Sequence, residues 1–343
     1  MRNVLLVIMA LCMICSNVVM GQSIHFSQYY NTPMLLNAAN TGLMSENDYR
    51  LGMNYRNQWA AIPVPYNTFS AWGDCKIGGN ANNTNHNNWL GIGFAFFNDK
   101  AGDGNLSLGL IQGDIAYHLK LSEFTMLSLG LSGAYAQRSV NYDNLTFDAQ
   151  WDGFTFNGHM PNGEKVGIIK TTYYTIGSGL NFAWFPNEFV YTKLGIGLTN
   201  INKPVETFYK GGINTLDYRP SGNLDMLFRA GPVLIINPSV YYSTQSGASE
   251  LLVGSLFRIL LNDSKQAPAQ LILGSYMRLG DAVIGAAGIQ ISRWQFMASY
   301  DFTMSALAPY NASYGALEFS LIYQGPYHPD QGIAKTFGCP RFF

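Results

Sequence analysis

Charge is scarce in this chain. Of its 343 residues 12% are Asp, Glu, Lys or Arg, and they nearly cancel to a formal net charge of -1. That is about half the charged share of a soluble globular protein. A water-soluble all-β fold would carry more Lys and Glu on its outward faces. A nucleic-acid partner would need a basic excess, and there is none. Long apolar runs are missing as well: past residue 21 none reaches ~18 residues, the length a helix needs to cross a bilayer. Cysteine is sparse. Only Cys75 and Cys339 lie beyond residue 21, too few for a disulfide framework, although an exported chain would permit that pair to bond. The five histidines (His25, His86, His118, His159 and His328) are scattered without ligand spacing, so neither a metal site nor a cofactor is expected.

What the chain has is aromatic rings and glycine: 21 Tyr, 21 Phe and 36 Gly, at a mean hydropathy of +0.03. That balance suits a protein with one surface in lipid and another in water. At the start, Arg2 precedes an apolar run from Val4 to Cys15, followed by Val19-Met20-Gly21. This reads as a Sec signal peptide over 1–21, cleaved near Gly21. The run is short for a membrane anchor. Leu11 and Ile14, which precede Cys12 and Cys15, are too large for a lipidation site.

Alternation dominates the rest. Over 293–302, Trp294, Phe296, Ala298, Tyr300 and Phe302 fall on one face of a strand, with Arg293, Gln295, Ser299 and Asp301 on the other. Early in the chain, Leu51, Met53 and Tyr55 oppose Arg50, Asn54 and Arg56; later, Leu251, Val253 and Phe257 oppose Glu250 and Arg258, and Leu317 and Phe319 oppose Glu318. An Arg facing lipid at mid-bilayer would cost roughly 2–4 kcal/mol, so these charges belong inside. Trp59, Trp89, Trp184, Tyr191 and Trp294 stand near strand ends, where interfacial girdles are expected. About fourteen such segments fit between 49 and 323. The expected fold is therefore all-β: a transmembrane antiparallel barrel of about fourteen strands in a bacterial outer membrane, with lipid as its outer partner.

The connections support this. Tight junctions at 121–122, 186–187, 231–232 and 292 follow even-numbered strands, and the longest connections (140–168, 202–223 and 303–314) follow odd ones. Only the long 79–87 and the short 280–281 break the pattern. Short periplasmic turns and long outer loops are the habit of outer-membrane barrels. An even strand count then puts a 22–48 segment and a 324–343 tail in the periplasm.

The residues after the leader read Gln22-Ser-Ile-His-Phe26-Ser27-Gln28-Tyr29-Tyr30-Asn31-Thr-Pro33, then Asn37-Ala38-Ala39-Asn40-Thr41-Gly42, Tyr55-Arg56-Asn57-Gln58-Trp59 and Thr68-Phe69-Ser70. In this order they resemble the PorP/SprF family, outer-membrane proteins of the type IX secretion system in Bacteroidetes. The terminal Cys339-Pro340-Arg341-Phe342 is similar to that family's tail. Asn37-Ala38-Ala39 departs from it, since the family usually has Asn-Pro-Ala. The resemblance implies a non-enzymatic barrel that helps secrete or anchor cargo bearing a C-terminal sorting domain, such as gliding adhesins, with periplasmic machinery as further partners.

Phe26, Gln28, Tyr29 and Tyr30 precede the first strand, so their segment either packs into the barrel mouth or docks a periplasmic partner. Arg56, Asp74, Arg258 and Asp301 are expected luminal residues, with Arg56 pairing a carboxylate such as Asp74. The alternative function is a porin or small-solute transporter, because a barrel of this size can enclose water. An enzyme would need a His beside Ser or Asp at one rim, and neither His118 nor His159 has a nucleophile nearby in sequence.

Overall fold

Strands with a dry face and a wet face, joined in antiparallel succession, can satisfy every backbone N–H and C=O in lipid only by closing on themselves. A computed structural model has that closure. It describes residues 26–327 except 45–46, 60–64, 79–87, 103, 142–144, 146, 162–167, 210, 263–268, 307 and 312. The expected signal peptide, Cys339 and the tail from 328 lie outside the described residues.

The strands are β1 (Tyr49–Gln58), β2 (Tyr66–Ile77), β3 (Trp89–Ala101), β4 (Leu106–Ser122), β5 (Thr125–Asn141), β6 (Ile168–Asn187) and β7 (Val190–Thr199). They continue as β8 (Arg219–Ala230), β9 (Leu234–Gln245), β10 (Ala248–Asn262), β11 (Ala269–Arg278), β12 (Ala282–Ile291), β13 (Trp294–Thr303) and β14 (Tyr314–Gly325). Each pairs antiparallel with its sequence neighbours, and β1 pairs β14 from Tyr49↔Gly325 to Gln58↔Ala316, sealing the barrel. All fourteen expected strands are present.

The two-faced pattern survives in space. On β1, Leu51, Met53 and Tyr55 are exposed outward while Asn54, Arg56 and Gln58 are buried. On β13, Trp294, Phe296 and Phe302 are exposed and Gln295, Ser299 and Asp301 are buried. On β10, Val253 and Phe257 face out while Leu252 and Leu256 are buried on the face that Arg258 shares.

Several boundaries move. β8 begins at Arg219 because Pro220, Ser221 and Gly222, residues that read as a loop, pair with Leu198, Gly197 and Ile196 of β7. β14 runs to Gly325, past the expected boundary at 323. Strand extension also adds tight connections at the long-loop end, 102–105 and 246–247, beside 279–281. The longest connections, 142–167 and 200–218, remain at that end, opposite the end where β1 begins and β14 stops.

Two of the expected girdle residues turn inward. Trp89 stacks on His118 with ring centroids 4.9 Å apart, and Tyr191 stacks on the buried Phe185. Both fall on the inward parity of their strands, which outranks their place at a strand end. Trp184 and Trp294 do face out.

Leu131, 60% exposed and near the middle of β5, tests the outward assignment. Leu131→Arg is expected to lower the free energy of unfolding from a bilayer by about 2–4 kcal/mol, measured by denaturant titration in vesicles. A change within error would mean that this face does not meet acyl chains.

Candidate functional site

The barrel is filled by its own N-terminal segment. Residues 26–44 lie within it, most of them buried. Their local shape follows from sequence. Tyr29–Asn31 forms a single 3-10 turn, and Pro33 opens a short helix, α1 (Pro33–Leu36), at a position where no N–H is needed. Asn37 then caps the turn Ala38–Asn40 by accepting the Ala39 N–H at 2.9 Å.

One end of the segment is locked into charge. The N–H groups of Ser27 and Gln28 donate to the two carboxylate oxygens of Glu318 at 2.8 and 3.0 Å. The Ser27 hydroxyl donates to Asp301 at 2.7 Å and accepts from both Arg56 and Arg278. Arg56 in turn pairs Asp301 at 2.9 Å and Glu318 at 3.2 Å. Arg278 pairs Asp301, Glu250 and Asp281. The Gln28 amide bridges Ser299 and Ser320. The Tyr29 hydroxyl donates to Ser239 at 2.7 Å, and its ring stacks on Tyr241.

The other end presses against the opposite wall. Asn37 donates to Asn181 on β6 and to the Ile196 carbonyl on β7. Asn40 accepts from Asn181, Lys193 and Arg50. His118 Nε2 lies 2.8 Å from the Thr41 carbonyl, so it donates there, and Nδ1 accepts from Ser128. The Gly42 N–H donates to Asp74 at 2.7 Å. Here the wall is glycine: a Cβ at Gly91, Gly130 or Gly179 would overlap Thr41, Ala38 or Asn37 respectively.

Arg56 and Asp301 are thus brought together at Ser27, beside Phe26, Gln28, Tyr29 and Tyr30. The expected Arg56–Asp74 pair is corrected. Register puts Arg50 directly opposite Asp74 on β2, and the two bond at 2.6 Å, while Arg56 stands opposite Glu318 across the β1–β14 seam. Arg258 stays on the inward face of β10. Sequence reading missed Ser27, Arg278 and His118 as contact residues. Inward parity was available for each strand residue, but not which strand lay across from it.

Toward the long-loop end, the segment leaves a cavity of about 450 Å3. Phe26, Tyr29, Leu35 and Leu36 floor it, and Leu108, Tyr173 and Tyr241 stand in its wall. The 200–218 loop folds over one side. Its Val205↔Thr215 bridge holds Glu206 against Arg138 at 2.7 Å and packs Leu216 on Leu108 and Tyr173. In the 142–167 loop, Asp152 accepts the backbone N–H groups of Thr155 and Phe154, which hold its carboxyl below the usual range.

The family profile described as type IX secretion system membrane protein PorP/SprF matches residues 18–323. No curated protein matches in sequence. Among solved structures, the toluene transporter TbuX of Ralstonia pickettii is 9% identical with a TM-score of 0.54, over 87% of this chain and 94% of that one. The Pseudomonas putida toluene transporter TodX is 8% identical at 0.53, over 90% and 96%. A Pseudomonas aeruginosa FadL homologue is 10% identical at 0.50, over 87% and 95%. At such identities the likeness is one of fold: an outer-membrane barrel.

Gly130→Val is expected to expel residues 26–44 while β5 stays paired. Arg56→Ala should loosen the other end by about 3–5 kcal/mol, since it strips a cation from two buried carboxylates. The check is maleimide labelling of Met34→Cys, a buried position. Labelling should quicken about tenfold or more in either background, the factor that ~1.4 kcal/mol confers; unchanged labelling would count against a docked segment.

Proposed function

The chain belongs to the PorP/SprF family of type IX secretion system membrane proteins, and on that premise we propose that it is a non-enzymatic barrel assisting the secretion or surface anchoring of particular sorting-domain cargo. The observation that carries this reading beyond the family is the occupied lumen. A pore for solutes needs a wet path from end to end, whereas this interior holds a segment bonded to opposite walls. In the proposed orientation the end where β1 begins and β14 stops faces the periplasm, where secretion-machinery components would meet it. The long loops face outward, toward cargo. Charged side chains gathered about Ser27 serve, on this reading, to hold the segment rather than to perform chemistry.

The second reading is a small-solute transporter. It is favoured by the fold likeness to TbuX and TodX, both described as toluene transporters. The two readings part on conductance and on surface display. The intact protein is expected to be silent in planar bilayers, and a form lacking residues 26–44 to conduct. Deleting the gene is expected to remove one or more sorting-domain proteins from the cell surface. A large stable conductance from the intact protein, with surface display untouched by the deletion, would reverse the choice.

A further inference from the structure

The cavity beside the N-terminal segment lies toward the long-loop end, with Phe26, Tyr29 and Leu36 in its lining. Its volume of about 450 Å3 falls within the ~300–1,000 Å3 of ordinary ligand sites. The charges that line it balance, Arg138, Arg219 and Arg278 against Glu206, Glu250 and Asp281. The field therefore favours an uncharged occupant.

A second observation sets the occupant's size. Four large apolar side chains are almost fully bare on loops at this same end: Phe154 (88% exposed), Tyr209 (83%), Ile213 (89%) and Tyr310 (84%). The Phe154 turn is built rather than frayed, tied by Asp152 and by the Trp151↔Phe156 bridge. A free apolar solute would use the cavity and leave these side chains in water. A protein surface would cover both, with an anchor residue in the pocket and a surrounding ring that excludes water.

We propose that this cavity is a receptor pocket for a protein partner, which inserts one bulky uncharged side chain, aromatic or branched aliphatic, against the wall that Leu108, Tyr173 and Leu216 form. This rests on the secretion reading and names the chemistry by which cargo would be held.

The test uses whole cells carrying the full chain. Leu108→Trp fills the pocket from β4, and Leu216→Asp places a charge in it from a loop whose change leaves the strands alone. Both variants are first confirmed as heat-modifiable barrels at normal level in the outer membrane. Each is expected to lower the surface amount of the same sorting-domain protein by about tenfold or more, the usual effect of losing an anchor. A photoreactive p-benzoylphenylalanine at position 216 should crosslink to that same protein. If both variants display it normally while gene deletion abolishes display, the pocket assignment fails and the secretion reading stands. If deletion itself changes nothing, the secretion reading fails and the inference goes with it. If the purified protein binds the apolar dye N-phenyl-1-naphthylamine, the variants do not, and display is normal, the pocket serves free solutes and the proposal is overturned.

Discussion

Backbone amides in hydrocarbon have no water to turn to, and this chain answers that constraint with fourteen strands paired edge to edge into a closed barrel. Closure has a cost that is met on the inside. Each strand that offers Leu, Phe or Ile to lipid must point its alternate residues inward, and a barrel of this size then gathers Arg56, Asp74, Asp301 and Glu318 around one axis. Left to themselves, those groups would need a column of water. In this protein they find partners in a segment of the same chain.

The partnership explains why residues 26–44 carry so little charge of their own. Ser27, Gln28, Asn31, Asn37 and Asn40 are neutral groups that donate and accept, suited to bridging wall residues of either sign. Ser27 shows the economy: one hydroxyl and one N–H engage two cations and two carboxylates. A charged residue there would intrude on Arg56, Arg278, Asp301 and Glu318, which already pair among themselves. At the far wall the fit is steric instead. Glycines on β3, β5 and β6 let the segment close against the sheet at that wall.

The fold was legible because period-two alternation with scarce charge has few other solutions, and all fourteen strands follow from it. What alternation could not give is who faces whom. Arg50 and Arg56 share one parity, and either could have met Asp74; only the register, Arg50 opposite Asp74 and Arg56 opposite Glu318, decides. Trp89 and Tyr191 show the same limit, since a position at a strand end suggests an interfacial ring but parity turns both inward. Pro220, Ser221 and Gly222 read as loop because each is a turn former. Yet Pro220 sits in a β7 pairing, and Ser221 gains a bond to the Leu36 carbonyl of the inner segment. The segment's residues stood out by family resemblance, whereas which wall residue each would meet did not.

The same geometry bears on the choice between conduit and anchor. A conduit needs its interior contacts weak enough to break on each passage, but the inner segment is fixed at both ends by buried groups whose separation would strand charge in a low-dielectric space. Such a segment is better suited to staying put than to cycling. Filling the lumen also stiffens the wall from within, because β1, β11, β13 and β14 share Ser27 while β6 and β7 share Asn37. A stiffened barrel holds its outer loops in fixed relation. That is what a surface receptor requires and a gated channel does not.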